Sequence, residues 1–192
     1  MKQKNLVRKQ YYLLRKKKYY EPNKNFFLPL IELIKSKIKK NFFKLALYYP
    51  SSFEINVLKL LEFNYITKQN LLLPIIEENN TMNFFPWEKN NILQINKYGM
   101  LEPIRTKLEV PDVMLVPLLV FDKNKQRLGY GKGYYDRYLN KYLKKFKNIL
   151  TVGVAFSFQK HHKLPASKPV SYTHLRAHET SLHLVCRLLL EK

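Results

Sequence analysis

The chain has 192 residues, 46% of them hydrophobic and 14% aromatic, enough apolar surface to offset the conformational entropy of folding, so wholesale disorder is excluded and one domain is expected. A net charge of +21 would suit phosphate-rich partners, yet the lysines are scattered and no nucleic-acid module pattern accompanies them, so a specific nucleic-acid binder is set aside. No run approaches the roughly 18 apolar residues of a membrane span and no signal-type segment follows Met1, so the expectation is a cytoplasmic monomer without a membrane partner and, with Cys186 alone, without a disulfide framework.

Residues 2 to 18 read as a basic helix with Leu6, Tyr12, Leu13 and Leu14 on a partly apolar face. The spacing of Phe27, Ile31, Ile34 and Ile38 predicts a second, core-facing helix, with Pro29 in its first turn, where a missing N–H is tolerated. Phe43 to Tyr49 is short, apolar and bounded by Pro50, which fits a buried strand, and helical spacing returns at Ile55, Leu58 and Leu61. Leu71 to Ile76 and Met82 to Trp87 read as strands, the first interrupted by Pro74 and therefore expected to be short or near an edge. Val113 to Val120 and Leu150 to Phe156 are further apolar runs, separated by a Gly-rich turn and a helical stretch, Tyr134 to Phe146. The alternation predicts an α/β fold: a single domain with a mainly parallel sheet flanked by helices, Rossmann-like and three-layered, with ligands beyond the carboxyl ends of the strands.

Chemistry concentrates in Leu115 to Leu139, LVPLLVFDKNKQRLGYGKGYYDRYL. A strand ends at Phe121-Asp122, and Arg127-Leu128-Gly129-Tyr130-Gly131-Lys132-Gly133 opens the next helix. Alternating glycines allow close backbone approach, and free N–H groups at a helix start attract anions. Arg127 and Lys132 add cations for phosphate oxygens. The glycine spacing matches neither the P-loop nor the dinucleotide fingerprint. Taken alone, the loop is as compatible with a structural turn as with a site.

FD…RLGYGKGYYDRYL resembles the C-terminal signature of the 5-formyltetrahydrofolate cyclo-ligase (methenyltetrahydrofolate synthetase) family, and other segments agree in order: Lys4 and Arg8, Tyr49-Pro50 with Glu54, Pro74, Lys97-Tyr98-Gly99 with Glu102-Pro103, Pro111-Asp112, and Gly153 to Phe156 with Gln159. The resemblance covers roughly residues 1 to 165. It implies a ligase of folate one-carbon metabolism in which ATP phosphorylates the formyl oxygen of 5-formyltetrahydrofolate, the neighbouring nitrogen attacks the activated carbon, and phosphate leaves to give 5,10-methenyltetrahydrofolate. Phosphoryl transfer of this kind needs mainly positioning and charge neutralisation.

By position, the resemblance implies that Lys4, Arg8 and the loop Arg127 to Tyr135 bind ATP, with Arg127, Lys132 and Tyr134 catalytic. Tyr49 and Glu54, with Tyr130, Gly131, Lys132, Gly133 and Tyr134, would contact the folate, and Asp136 would help hold Mg²⁺. Plainer readings stand beside these. Lys4 and Arg8 are two among many cations, Glu54 suits a helix N-terminus, Asp136 could pair with a nearby Arg, Tyr134 could be core, and Phe85 and Trp87 fit core packing better than a pteridine pocket.

After Pro165 the resemblance stops. The family continues into a segment with a further aspartate for the metal, whereas PVSYTHLRAHETSLHLVCRLLLEK resembles a tail found at the ends of unrelated proteins and translated from vector or adapter DNA. The expected division is therefore a C-terminally truncated cyclo-ligase-like domain over 1–168 and a non-native tail over 169–192, with impaired turnover as the alternative to a working enzyme. His174, His178, His183 and Cys186 in that tail offer metal ligands without an HExxH or CxxC frame, and a metal site there is not expected.

Overall fold

In the computed structural model the described residues are 2–124, 126–143 and 149–165, with the backbone of 175–176, 185–187 and 189–190. Helix α1 (Lys2–Lys18) is followed by a 3-10 turn, Lys24–Phe27, which leads into α2 (Leu28–Lys37) with Pro29 in its first turn. Strand β1 (Lys44–Ala46), a 3-10 turn over Val57–Glu62, the short α3 (Asn64–Thr67), β2 (Asn70–Ile76) and β3 (Met82–Pro86) come next. A hairpin of β4 (Leu93–Ile95) and β5 (Leu101–Pro103) precedes β6 (Val113–Pro117), β7 (Val120–Asp122) and β8 (Arg127–Leu128). Helix α4 (Tyr134–Leu143), β9 (Leu150–Val154) and β10 (Lys160–His161) follow, then β11 (Leu175–Arg176), β12 (Val185–Arg187) and β13 (Leu189–Leu190).

The main sheet runs β12-β9-β6-β1-β2-β3, parallel from β9 through β2 and antiparallel at both margins. Strict alternation feeds two cores. Leu45, Leu47, Leu71, Leu73, Val113, Leu115, Val152 and Val154 face one side with Leu30, Ile34, Val57 and Leu60. Ala46, Leu72, Met114 and Val116 face the other with Tyr138, Leu139 and Tyr142 of α4. A sheet covered on both faces favours apolar residues at nearly every position, which is why most of the strands read as apolar runs. Each fully buried Leu or Val contributes about 1.5–3 kcal/mol of transfer free energy.

Two sequence expectations need correction. Strand β2, by contrast, lies beside the marginal strand β3, near an edge as expected. Trp87 N–H donates to Leu71 O, so alternate pairs of this antiparallel ladder are hydrogen bonded, and Pro74 and Pro86, opposite Phe84 and Leu72, fall in the non-bonded pairs, where no N–H is asked of them. The spacing at Ile55, Leu58 and Leu61 forms a 3-10 turn, because its short length and Asn56, whose side chain accepts from Leu58 N–H at 3.2 Å, favour tight winding. Val113 to Val120 is not one strand. It bends after Pro117, and Gln159 Nε2 secures the bend by donating to Leu118 O at 3.1 Å and Leu119 O at 2.9 Å. Beyond the bend, β7 joins a small second sheet, β10-β7-β8.

Asp122 closes this second sheet: its buried carboxylate accepts from the N–H groups of Asn124 at 2.9 Å, Gln126 at 3.0 Å and Leu164 at 2.9 Å. Under α1, Val7 and Tyr11 pack with Leu119, Val120, Leu128 and Leu164. The tail, expected to be non-native, contributes β12, which pairs with β9 at Val185↔Val154, Cys186↔Gly153 and Arg187↔Val152. An open strand margin carries free N–H and C=O groups that any extended segment can satisfy, so this pairing needs no side-chain fit. His174, His178 and His183 lie outside the described residues.

Candidate functional site

The parallel strands β1, β6 and β9 all end toward the loop Gly129–Gly133, which enters α4. Two of its glycines have positive φ, +103° at Gly131 and +71° at Gly133, values that side chains with a Cβ resist. Helix α1 lies against the loop. Arg8 Nε donates to Gly129 O at 2.9 Å, and a Cβ on Gly131 would come within 3.3 Å of Arg8 Cζ. The sequence-predicted pair of Arg8 and the glycine loop is therefore brought together, while Leu128 faces the small core under α1. Lys4 sits one helical turn before Arg8, half-buried and without a hydrogen bond or ion pair among the described residues.

Arg137 braces the far side of the loop, with Nη2 donating to Lys132 O at 2.7 Å and Nε to Asn80 O at 2.8 Å. Lys132 itself is exposed, its Nζ 5.0 Å from the centre of the Tyr98 ring at the turn of the β4–β5 hairpin. Asn96 shapes that turn by accepting from the N–H groups of Tyr98 at 2.8 Å and Met100 at 3.0 Å, and its Nδ2 donates to the buried carboxylate of Glu102 at 2.6 Å. Burial raises the pKa of Tyr134, and the neighbouring Tyr98 hydroxyl adds to the rise. Tyr134 is half-buried, lying beside Tyr98 and packing against the core under α4.

Glu54 is 7% exposed and accepts from Ser51 N–H at 2.9 Å and Ser51 Oγ at 3.3 Å. It does not open a helix; it closes a tight loop after β1 in which Ser52 and Phe53 have φ of +49° and +64°. Burial raises the Glu54 pKa, opposed by the Ser51 N–H, by Arg15 and by the Tyr130 hydroxyl. Tyr130 and Tyr135 titrate well above the ordinary tyrosine range, from burial first and from the Glu54 charge second. Glu54 is thus within electrostatic reach of the glycine loop and of α4. Tyr49 is half-buried in the segment after β1, next to the fully buried Tyr48, whose hydroxyl donates to Ile55 O at 2.9 Å.

Asp136 takes up the plainer of its two readings: Arg127 Nη2 donates to its Oδ1, although the carboxylate remains 67% exposed. The Arg127 Nε is buried without a partner, and a buried donor left unpaired is costly unless a ligand supplies the acceptor. Among the described residues no three His, Cys, Asp or Glu side chains gather in a way that could hold a metal. Phe85 and Trp87 are buried, Trp87 in the main core. Cavities of about 640 and 550 Å³ lie at the opposite, amino-terminal ends of β1 and β2, so converging donors rather than cavity size mark the site.

Sequence reasoning missed Arg15. It is 1% exposed and donates to Tyr130 and Ser52. Its position one heptad beyond Arg8 on the same helix face was the available signal, hidden by the run of lysines that follows.

Comparison with known proteins gives a consistent picture. A family model described as the 5-formyltetrahydrofolate cyclo-ligase family matches residues 30–174. The chain is 29% identical over 142 residues to 5-formyltetrahydrofolate cyclo-ligase of Haemophilus influenzae, covering 70% of this chain and 73% of that protein. The NMR structure of Aquifex aeolicus 5,10-methenyltetrahydrofolate synthetase superposes with a TM-score of 0.64 at 32% identity, over 85% of this chain and 83% of that one. The 5,10-methenyltetrahydrofolate synthetase of Mycoplasma pneumoniae gives 0.62 at 27% identity, over 85% and 91%.

Proposed function

The chain belongs to the 5-formyltetrahydrofolate cyclo-ligase family, and from that premise we propose that it cyclises 5-formyltetrahydrofolate to 5,10-methenyltetrahydrofolate at the expense of ATP, releasing ADP and phosphate. The observation that carries this reading is the meeting of Arg8, Arg127 and the open-backboned loop Gly129–Gly133 with the Glu54 loop at the carboxyl ends of the parallel strands.

ATP is the co-substrate that supplies the phosphoryl group. Arg8, Arg127 and Lys132 neutralise phosphate oxygens, and the unpartnered Arg127 Nε is a donor ready for one of them. The positive-φ glycines leave the loop face open to close approach. Glu54 and Tyr49 would orient the folate, and Tyr134 would order the reacting groups from the other side of the loop. Mg²⁺ characteristically uses one or two carboxylates together with substrate phosphates. The exposed Asp136 beside the loop fits that part once its contact with Arg127 is exchanged for the ion, which would add charge neutralisation.

The test mixes the full chain with 5-formyltetrahydrofolate, ATP and Mg²⁺ and follows the absorbance of the methenyl product. ATP-dependent product formation is expected, and its absence overturns the enzyme reading for this chain. The pairing of Asp136 with Arg127 favours a second reading, a folate- and nucleotide-binding protein with impaired turnover. Binding of both ligands without product would select it.

A further inference from the structure

A guanidinium removed from water costs several kcal/mol unless its donors are satisfied, so the fully buried Arg15 must be accounted for group by group. Its Nη2 donates to Ser52 O at 2.6 Å and to the Tyr130 hydroxyl. Nη1 points at Leu118 O at 3.4 Å, Nε is buried without a partner among the described residues, and the cation lies over the Tyr130 ring, with Cζ 5.3 Å from its centre. The same Tyr130 hydroxyl faces Glu54. A tyrosine hydroxyl has lone pairs to receive and one proton to give, so Tyr130 accepts from Arg15 and keeps its own proton free to turn toward the Glu54 charge.

The contacts span segments far apart in sequence: α1, the loop after β1, the bend after β6 and the glycine loop. Each loop has a tie of its own, Ser51 to Glu54 within one and Arg8 of α1 to Gly129 in the other. Arg15 ties one to the other. The loop after β1 also needs a restraint from outside itself. Ser52 and Phe53 are consecutive non-glycine residues with positive φ, a conformation that persists only where surroundings impose it. The grip of Arg15 on Ser52 O is such a restraint.

We propose that Arg15 is a positioning residue that locks the Ser51–Glu54 loop to the glycine loop through Tyr130, so that the nucleotide and folate halves of the site are formed together. The identity of the two ligands rests on the cyclo-ligase reading; the lock itself does not. Lysine is a poor substitute, because one compact ammonium on a flexible stem cannot reproduce a planar fork that serves Ser52 O and Tyr130 at once.

The experiment uses the full chain with Arg15→Met, Arg15→Lys and Tyr130→Phe. In the unliganded protein, amide hydrogen exchange of residues 51–54 and 129–133 should quicken together, about tenfold in Arg15→Met, with Arg15→Lys intermediate. The factor by which a non-hydrolysable ATP analogue tightens 5-formyltetrahydrofolate binding should fall toward one in Arg15→Met and Tyr130→Phe. Should Arg15→Met fail to fold, Tyr130→Phe leaves α1 and Arg15 in place and carries the test. Unchanged exchange in both loops, or a lowered melting temperature with the ligand coupling intact, overturns the lock. A wild-type chain that binds neither ligand overturns the cyclo-ligase reading instead, and the exchange comparison still decides the lock.

Discussion

Three glycines near the site separate backbone strain from crowding. Gly99 has φ of +75° and nothing within 4 Å of a built Cβ; Gly131 has φ of +103° and Arg8 Cζ at 3.3 Å; Gly129 has no positive φ and only Arg127 Nη1 at 3.5 Å, an ordinary contact. Alanine at Gly99 meets strain alone, which costs on the order of 1–3 kcal/mol for an L-residue in such a region. At Gly131 the methyl group also pushes Arg8, whose hydrogen bond to Gly129 O is worth about 1.5–3 kcal/mol as a charged donor. The expected order of damage is Gly131→Ala, then Gly99→Ala, then Gly129→Ala within about 0.5 kcal/mol of wild type. In a chain of this size 1 kcal/mol moves the melting temperature by about 2–4 °C, so thermal scans resolve the series. Calorimetry adds the second axis: Gly131→Ala should weaken ATP binding through the displaced Arg8, and Gly99→Ala should not do so to the same extent. Equal melting temperatures for Gly131→Ala and wild type, or an equally damaging Gly129→Ala, would refute the reasoning.

Lys132→Ala removes an exposed cation beside Tyr98 and should weaken ATP binding about tenfold or more without lowering the melting temperature, read by calorimetry and a thermal scan. Because the folded-state pKa of Glu54 is raised, the native protein holds this proton more tightly than the unfolded chain, so its stabilising contribution is present in acid and is lost as pH rises through the folded pKa. Glu54→Gln should therefore gain stability relative to wild type on going from acid to neutral pH in a melting series, while folate affinity falls and ATP affinity holds. Asp122→Ala strands three N–H groups and should cost about 3 kcal/mol or more in urea unfolding. Cutting after Lys168 removes β12 and bares the outer margin of β9; unfolding free energy should stay within about 1 kcal/mol, while light scattering should show more association.

The parallel sheet was legible because a strand buried on both faces is almost wholly apolar, as Val113–Pro117 is throughout and Leu150–Val154 is apart from the buried Thr151. The glycine loop was legible from composition alone, because the glycines concentrate where the backbone turns to positive φ, at Gly131 and Gly133. What escaped depends on partners distant in sequence. The bend at Leu118 is secured by Gln159, and the hairpin β4–β5 is organised by Asn96, a side chain with many possible uses. Glu54 was singled out by resemblance, while its burial and its loop of positive-φ residues have no local signature. Arg15 escaped because its environment, not its neighbours in the chain, distinguishes it from the lysines that follow.

The docking of α1 has a consequence for biosynthesis. Arg8 waits for Gly129, and Tyr11 Oη donates to Lys160 O at 3.0 Å, across a separation of 149 residues. At ribosomal rates of about 5–20 residues per second, the first helix emerges roughly 8–30 seconds before its last partner exists. During that interval a basic segment with Leu6, Val7, Tyr11 and Leu14 is exposed with nothing to cover it, and chaperones or neighbouring nascent chains can reach it. Closure of so long a loop also comes late in refolding, since its entropy must be lost before the contacts repay it. The face formed by α1 and the glycine loop is therefore expected to be the last part of the molecule to mature, and ligand added to nascent or refolding chains should capture them only after the rest of the sheet has formed.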